Sequence, residues 1–444
     1  MVFSRIFGKS QAPAPPAEEA PPEETEAPAD AESAADESYD ETGEEHPDWA
    51  TRASRVIVGG ASTGSKRPDK IYGGRIDDAA LPTHYVSATG CRVVTTEGDT
   101  LVDCTMALGS VALGYAEPQL TRAVIEALAH GSVSGLPPAV EVEVAEAFCG
   151  VVPCAERVQF VKTGADAMSA AVRIARTYTG KDVVVGCGYF GWHDWSSDAA
   201  GVPASTQTNF RRIPFDDLYA LEKAVSEVGD ALAAIAIEPV IEREPSKEWI
   251  ERARKLCDEK HAVLIFDEIK TGFRVATGGY QQYVGITPDL AAFGKAMANG
   301  YPLAAVCGHQ DLMEVTDRTW ISSTLASETA SLTAASAVIA WHLRADICAS
   351  LWSIGKDMRE IIGKAISASG VTGVSVDGID PMWLMRFDDP DRETAFLKAA
   401  TRNGVLFKRG AYNFAAMAHD EEALSIVEQA ASDAFVELRE HGVQ

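Results

Sequence analysis

Short, continuous apolar segments alternate with helical patterns through the middle of this 444-residue chain. A strand that is covered on both faces is apolar throughout, so the alternation predicts a mostly parallel sheet buried between helices. The expected strands are residues 157–161, 183–187, 233–238, 262–267, 289–293 and 303–308. In open sheets of this kind, ligands bind at the carboxyl ends of the strands. Candidate functional residues are therefore expected where these segments end.

The last part of the chain has the pattern of a smaller α+β unit. Helices are expected over residues 328–344 and 350–367. Apolar residues at helical spacing also predict a terminal amphipathic helix over residues 420–442. The overall fold class is therefore α/β, with a second, smaller domain.

The beginning of the chain is acidic and rich in proline and alanine. Residues 1–50 contain 14 acidic and 2 basic residues, which gives −12 of the total net charge of −26. Such a segment buries too little apolar surface to offset the entropy of ordering, so we expect residues 1–48 to be disordered. A solubilising tail is the default interpretation, and a docking tail for a basic partner is the alternative.

Composition also excludes several classes of function. The chain has no basic stripe to neutralise phosphates, so a nucleic-acid partner is not expected. It has no apolar run near the ~20 residues of a membrane helix, so no membrane partner is expected either. The eight cysteines include no CxxC pair, which favours reduced core thiols in a cytoplasmic protein and predicts no metal site.

An acid and a lysine follow two successive expected strands. Asp267 ends the segment VLIFD, and Lys295 follows LAAF between Gly294 and a run of small residues. A desolvated lysine is nucleophilic and can form an imine with an aldehyde. A carboxylate can hold a pyridine nitrogen protonated, so that the ring becomes an electron sink. Taken singly, each residue could be a helix cap or a surface charge. As a pair they predict pyridoxal phosphate (PLP) chemistry.

Two further strand ends carry candidate cofactor contacts. Gly164 lies at the start of a helical pattern that covers residues 162–180, where free amides and the helix dipole suit a phosphate. Tyr189 follows the strand 183–187 and could stack on a ring, although aromatic packing in the core explains it equally well.

With these residues assembled, the chain resembles the class III aminotransferases, which have the PLP-dependent fold type I. Within that family it is most similar to glutamate-1-semialdehyde aminomutase-like proteins. The resemblance runs from about Trp49 to the C-terminus and rests on six ordered motifs. They are GADAMSAAVRIARTYTG, GYFGWHDW, IEPV, FDEIKTGFR, PDLAAFGKAMANGYPLAAVCG and SSTLASETASLTAA. The resemblance implies a large domain with a mostly parallel seven-stranded sheet, a smaller α+β domain and PLP as cofactor.

The resemblance also assigns roles to individual residues. Lys295 would form the Schiff base, Asp267 would pair with the ring nitrogen, and Ile269 and Tyr189 would lie on opposite faces of the ring. The other implied cofactor contacts are the phosphate-binding amides of Gly164 and Ala165, Glu238 in IEPV, and Thr324, which would reach the cofactor of a neighbouring subunit. The enzyme would then be a homodimer. The loop 59-GGASTGSKRP-68 resembles one that meets a substrate carboxylate, which makes Thr63 and Lys66 the substrate candidates.

The implied domains are the tail 1–48, an N-terminal segment 49–104 that packs with the small domain, a PLP-binding domain 105–335 and a small domain 336–444. Three departures from aminomutases bear on the reaction. Phe190 replaces a common histidine, the segment 196–210 is shorter than the aminomutase lid, and Ala411 and Tyr412 lie where an acidic residue is expected. They favour ping-pong transamination between an amino donor and an oxo acceptor. The alternatives are a glutamate-1-semialdehyde 2,1-aminomutase and a catalytically degenerate PLP-fold interaction protein.

Overall fold

A seven-stranded sheet forms the centre of the computed structural model, which describes residues 48–73 and 81–440. The strand order is β4-β10-β9-β8-β7-β5-β6. Only β10 runs antiparallel to its two neighbours within this sheet. The strands of the described chain are β1 Tyr85–Thr89, β2 Arg92–Thr95, β3 Thr100–Asp103, β4 Arg157–Val161, β5 Val183–Cys187, β6 Phe210–Arg212, β7 Leu232–Ile237, β8 Val263–Asp267, β9 Leu290–Phe293, β10 Ala304–Gly308, β11 Val374–Ile379, β12 Met382–Phe387, β13 Val405–Leu406 and β14 Asn413–Phe414.

The predicted sheet is confirmed, and each of the six expected strands is found with ends that differ by no more than one residue. The seventh strand, β6, was not predicted. It is three residues long, its sequence Phe-Arg-Arg is mostly polar, and it pairs with β5 at the edge of the sheet. Because it is short and two of its three residues are arginines, it lacks the continuous apolar pattern by which the other strands were predicted.

Helices cover both faces of the central sheet. The helices of the described chain are α1 Trp49–Val56, α2 Pro68–Ile71, α3 Met106–Gly109, α4 Pro118–Leu128, α5 Ala139–Cys149, α6 Gly164–Thr179, α7 Ala204–Gln207, α8 Leu218–Val228, α9 Lys247–Lys260, α10 Tyr280–Val284, α11 Gln310–Met313, α12 Thr329–Arg344, α13 Ile347–Ser369, α14 Pro390–Arg402 and α15 Glu421–Glu440. The expected helices at 328–344, 350–367 and 420–442 correspond to α12, α13 and α15. Residues 441 and 442 of the last prediction lie outside the described residues.

Alternate residues of β7 show how the two faces are built. Ala234 and Ala236 pack in a cluster with the alanine-rich helix α6, whereas Ile235 and Ile237 pack in a second cluster with α8 and α9. Because side chains alternate across a strand, the small residues all fall on one face and let α6 lie close to the sheet. The N-terminal end of α6 is thereby fixed beside the strand ends.

Two smaller sheets lie outside the central one. Strands β1, β2 and β3 form a sheet with β13, so the N-terminal segment shares a sheet with residues near the C-terminus. Strands β11, β12 and β14 form the third sheet. Arg274 ties these regions to the central domain. Its fully buried guanidinium donates to the carbonyl oxygens of Ala415 (2.7 Å), Gly109 (3.1 Å) and Pro381 (3.3 Å).

The expected tail, residues 1–48, lies outside the described residues except for Asp48, which caps α1 by accepting a hydrogen bond from the Thr51 amide at 2.9 Å. In the part of the chain that the structure describes, no helix combines the length and the apolar character needed to cross a membrane. The eight cysteines are all free, and seven of them are buried.

Candidate active site

A cavity of about 830 Å³ opens where β4, β5, β7, β8 and β9 end. Parallel strands place their carboxyl ends at one edge of a sheet, so residues distant in sequence meet there. Seven of the predicted site residues line this cavity: Gly164, Ala165, Tyr189, Glu238, Asp267, Ile269 and Lys295.

Asp267 is the last residue of β8 and only 4% of it is exposed. Its Oδ1 accepts a hydrogen bond from the Ile269 amide at 3.1 Å. Burial raises the pKa of the Asp267 carboxyl, and the neighbouring Glu238 carboxylate raises it further. A buried acid of this kind is stabilised by a cation in the cavity, because an opposite charge at short range favours the carboxylate.

Lys295 begins a short 3₁₀ helix directly after β9 and Gly294. Its φ of 47° lies in the left-handed region, which costs energy in a residue other than glycine and is characteristic of functional sites. Burial lowers the pKa of the Lys295 amine from 10.5 to about 8, and the nearby Lys270 lowers it in the same direction. A lysine with this pKa has a substantial unprotonated fraction near neutral pH and can act as a nucleophile.

A second lysine, Lys270, lies in the same cavity and pairs with Glu238. The pair is mostly buried, with 17% and 8% of the two side chains exposed. The ammonium also lies 4.3 Å from the centre of the Tyr412 ring, which belongs to the C-terminal part of the chain. Glu238 uses its Oε2 to accept a hydrogen bond from the Tyr189 amide at 2.9 Å. The ion pair therefore connects three walls of the cavity.

Gly164 and Ala165 are the first residues of α6. Thr163 and Asp166 form a capping box, each side chain accepting a hydrogen bond from the backbone amide of the other. The first amides of a helix have no acceptor within the helix, so those of Gly164 and Ala165 are suited to an anion in the cavity. A Cβ atom on Gly164 would lie 2.5 Å from Ile269 Cδ1, so any larger residue here would require Ile269 to shift.

The aromatic segment after β5 is held at both ends by one arginine. Arg212, the last residue of β6, donates hydrogen bonds to the carbonyl oxygens of Gly188 and Ser196, both at 2.8 Å. Tyr189 lies between these anchors with 73% of its surface exposed at the cavity. An exposed ring on a fixed backbone can stack on a flat ligand, so core packing does not describe Tyr189.

Three predicted residues lie outside the lining of this cavity. Thr324 and Thr63 are exposed on the surface of the chain. Lys66 lines a separate, smaller cavity of about 180 Å³ together with Asp103 and Tyr115. The fold of a single chain therefore does not bring these three residues to Lys295.

Eight charged or aromatic residues of the cavity were not predicted as ligands: Lys162, Trp192, Arg212, Phe215, Glu242, Lys270, Tyr301 and Tyr412. Lys270 could have been found, because it lies three residues after Asp267 in the same motif. Arg212 belongs to the strand that the apolar pattern missed. Tyr412 joins the cavity only because the C-terminal region packs against Lys270 and Glu242, a contact that local sequence does not encode.

The chemistry of these groups fits PLP. The cavity supplies a nucleophilic amine for an aldehyde, a buried acid for a ring nitrogen, free amides at a helix start for a phosphate and an aromatic side chain for the ring. A side chain at position 164 would point toward Ile269. The backbone of Gly164 is therefore free to approach a phosphate at the start of α6.

Comparison with known proteins agrees with this chemistry. The family model described as aminotransferase class-III matches residues 75–188 and 197–434. The chain is 30% identical to 3-aminobutyryl-CoA aminotransferase of Cloacimonas acidaminovorans, over 87% of this chain and 95% of that protein. It is 29% identical to glutamate-1-semialdehyde 2,1-aminomutase of Methanopyrus kandleri, over 90% and 99% of the two chains.

Solved structures give the same result. The FumI protein of Sphingopyxis sp. MTA144, solved in a form with PLP, superposes with a TM-score of 0.82 and 26% identity, over 87% of this chain and 94% of that one. Since the family model covers most of the chain and the relatives match nearly end to end, the chain belongs to the class III aminotransferases, which are PLP-dependent enzymes.

Proposed function

We propose that the enzyme transfers an amino group between two separate molecules, an amino donor and an oxo acceptor, in two half-reactions. The observation that carries this proposal is how segment 196–210, which lies beside the cavity, is anchored by hydrogen bonds and secondary structure. Arg212 holds its first residue, Gln207 donates to the Ser197 carbonyl at 3.1 Å, and α7 and the start of β6 occupy its second half. An intramolecular transfer must retain its intermediate between the two halves. A short, anchored segment suits exchange with solvent instead.

We assign the cofactor contacts to the residues that line the cavity. PLP, when bound, supplies a protonated ring that draws electrons from the substrate carbon. Asp267 would place a carboxylate at the ring nitrogen, and Ile269 and Tyr189 would pack against the ring. The amides of Gly164 and Ala165 would bind the phosphate, and Glu238 fixes the segment that carries Tyr189.

Lys295 is the proposed base of the reaction. Its Nζ would hold the cofactor and, when free, would take a proton from the substrate carbon and return one on the product side. Proton transfer of this kind needs a group whose pKa is near the working pH, and burial brings the pKa of Lys295 to about 8.

The absorbance spectrum of the purified enzyme with bound PLP tests transamination directly. Glutamate, alanine, glutamate 1-semialdehyde and 3-aminobutyryl-CoA are added one at a time. Loss of the visible band of bound PLP with one donor, and its return on adding an oxo acceptor, supports the two half-reactions. Turnover of glutamate 1-semialdehyde alone, with no acceptor, supports the aminomutase instead. Absence of any PLP band contradicts both and favours the interaction protein.

We further propose that the enzyme is a homodimer in which Thr324 reaches the neighbouring site. Support comes from its position, since the Thr324 side chain is exposed and lies outside the cavity of its own chain. Mixing inactive Lys295→Ala chains with Thr324→Val chains tests this. If each site takes its Thr324 from the partner chain, one of the two sites in every mixed dimer has both residues intact, and activity returns. If Thr324 acts within its own chain, every mixed site carries a lesion and no activity returns.

Three coarser assignments complete the proposal. The buried free thiols are typical of the cytoplasm, where we place the enzyme. The division into segments 49–104, 105–335 and 336–444 is kept as a proposal, supported by the central sheet, which lies wholly within 105–335, and by β13, which pairs the last segment with the first. Thr63 and Lys66 remain candidates for a substrate carboxylate, and their position suits a substrate held at the junction of two chains.

A further inference from the structure

Lys270 is held in one place by groups from several segments of the chain. Its ammonium pairs with Glu238 and lies 4.3 Å above the ring of Tyr412. Both partners are fixed in turn: Glu238 accepts the Tyr189 amide at 2.9 Å, and the Tyr412 hydroxyl accepts the Glu242 amide at 2.6 Å. Because the Lys270 ammonium is restrained in this way, its distance to neighbouring groups is fixed, and so is its electrostatic effect on them.

Four charged groups act on the Lys295 amine. Asp267 at the end of β8 and Glu238 after β7 favour its protonated form, whereas Lys270 and Arg274, which both follow β8, oppose it. After burial, Lys270 has the largest influence on the pKa of Lys295, and it lowers that pKa. Burial alone would lower the pKa of Lys270 itself, but the Glu238 carboxylate outweighs it and raises that pKa above 10.5. Lys270 therefore keeps its charge at the pH at which Lys295 loses its own.

We infer that Lys270 is a positioning residue of the amino-transfer site, whose ammonium, held by Glu238 and Tyr412, favours the unprotonated, nucleophilic form of the Lys295 amine. The inference rests on the proposed function only in that Lys295 is the nucleophile. It gives the buried ion pair a role beyond bridging the strand ends: Glu238 keeps Lys270 charged, and Lys270 favours the neutral form of Lys295.

The test measures the titration of Lys295 in the protein without PLP. Trace labelling with acetic anhydride across a range of pH, followed by mass spectrometry of the Lys295 peptide, gives the pH midpoint of this one amine. The variants are Lys270→Met, which removes the charge, and Lys270→Arg, which keeps it. Lys356→Met is the matched control, because Lys356 is an exposed lysine that pairs with Glu360 away from the cavity.

We expect Lys270→Met to raise the midpoint of Lys295, and a rise of one pH unit makes labelling below the midpoint about tenfold slower. Lys270→Arg and the control should titrate as the wild type does. A Met variant that titrates as the wild type overturns the inference. So does an Arg variant that shifts as far as the Met variant, because the packing of Lys270 rather than its charge would then matter. If Lys270→Met fails to fold, as judged by near-UV circular dichroism, Lys270→Gln replaces it.

Removing Lys270 also leaves the Glu238 carboxylate without its partner, which by itself raises the pKa of Lys295. A double-mutant cycle separates the two effects. The double variant Lys270→Met, Glu238→Gln removes the ion pair as a whole, and it should still raise the Lys295 midpoint above that of the wild type, because Lys270 acts on Lys295 more strongly than Glu238 does. If Lys270→Met alone raises the midpoint but the double variant titrates at or below the wild type, the unpaired carboxylate is responsible and the inference is wrong.

The failure of this inference is distinguishable from the failure of the proposed function. Labelling uses protein without PLP and requires no turnover. Borohydride reduction of the wild-type enzyme with PLP, followed by peptide mapping, tests separately whether Lys295 carries the cofactor. If no cofactor is fixed on Lys295, the proposed function fails. If it is fixed but Lys270→Met leaves the labelling midpoint unchanged, only the role of Lys270 fails.

Discussion

Gly164 and Ile269 are in such close contact that a Cβ atom on the glycine would lie 2.5 Å from Ile269 Cδ1. The two residues come from different strand ends, and their contact joins the start of α6 to the segment after Asp267. The phosphate position and the ring position of the proposed cofactor site are therefore set by a single packing contact. A change at either residue is expected to move both positions together.

Substitution of Gly164 by alanine tests this coupling. The extra methyl group must push Ile269 or the start of α6 away, so we expect overpacking to cost about 1–3 kcal/mol of stability. We also expect the Kd for PLP to rise at least about tenfold, which corresponds to a loss of ~1.4 kcal/mol in binding free energy. Spectroscopic titration of the unloaded protein with PLP measures the affinity, and urea unfolding measures the stability.

A second variant shows whether the contact itself is responsible. Ile269→Val removes the Cδ1 atom that the new methyl group would meet. The double variant Gly164→Ala, Ile269→Val should therefore recover part of the lost PLP affinity. A double variant that binds PLP as poorly as Gly164→Ala alone would show that the added methyl group acts on the phosphate rather than on Ile269.

Attachment of PLP to the protein should depend on pH through Lys295. Only the unprotonated amine reacts, and the pKa of this amine is lowered to about 8. Below that pH, the initial rate of attachment should rise about tenfold for each pH unit, and above it the rate should level off. Stopped-flow absorbance measures the rate. Lys295→Ala should show no borohydride-stable attachment at any pH, whereas a rate independent of pH below about 8 would contradict the assignment.

The parts of the site that the sequence predicts are those fixed by short stretches of chain. Asp267 ends and Lys295 follows a strand with a clear apolar run, Gly164 begins a helical pattern after a further strand, and the edge at which parallel strands end is a general property of the fold. Their convergence in one cavity follows from the sheet alone. The lowered pKa of Lys295 agrees with the desolvated lysine that the sequence predicts, whereas the raised pKa of Asp267 was not predicted, because it depends on how deeply the carboxyl is buried and on the neighbouring Glu238.

The parts that the sequence does not predict depend on contacts between distant segments. Tyr412 meets Lys270 only because the C-terminal region packs over the strand ends, at a separation of more than a hundred residues. Lys66 and Thr324 were assigned to the site by resemblance, and a single chain leaves both outside the cavity. Substrate contacts of this kind come from loops, whose arrangement follows no apolar periodicity.

Arg274 should be important for stability rather than for chemistry. Its guanidinium is fully buried and donates to carbonyl oxygens near the N-terminal segment and in the C-terminal region. Arg274→Met leaves these buried acceptors unpaired, so we expect a loss of at least about 2 kcal/mol in urea unfolding. Arg211→Met is the matched control, since Arg211 also donates to backbone carbonyls, of Thr208 and Phe210, but is exposed. Equal stability losses in both variants would contradict this role.

The acidic N-terminal tail provides the test between an enzyme and an interaction protein. Deleting residues 1–47 removes most of the acidic segment but keeps Asp48, whose side chain caps α1. An enzyme whose site lies at the strand ends should keep its transamination rate and its melting temperature after this deletion. The solubility of the protein should fall, because the deleted segment carries much of the net charge of −26.

The complementary variant is Lys295→Ala in the full-length chain, which keeps the tail and removes the proposed nucleophile. If the protein is an enzyme, the two variants separate cleanly: the truncated chain is active and the Lys295→Ala chain is not. If instead the chain is a binding module that has lost its chemistry, wild type and Lys295→Ala are equally inactive toward every donor. Only the truncation then has a measurable effect, loss of binding to a basic partner such as polylysine.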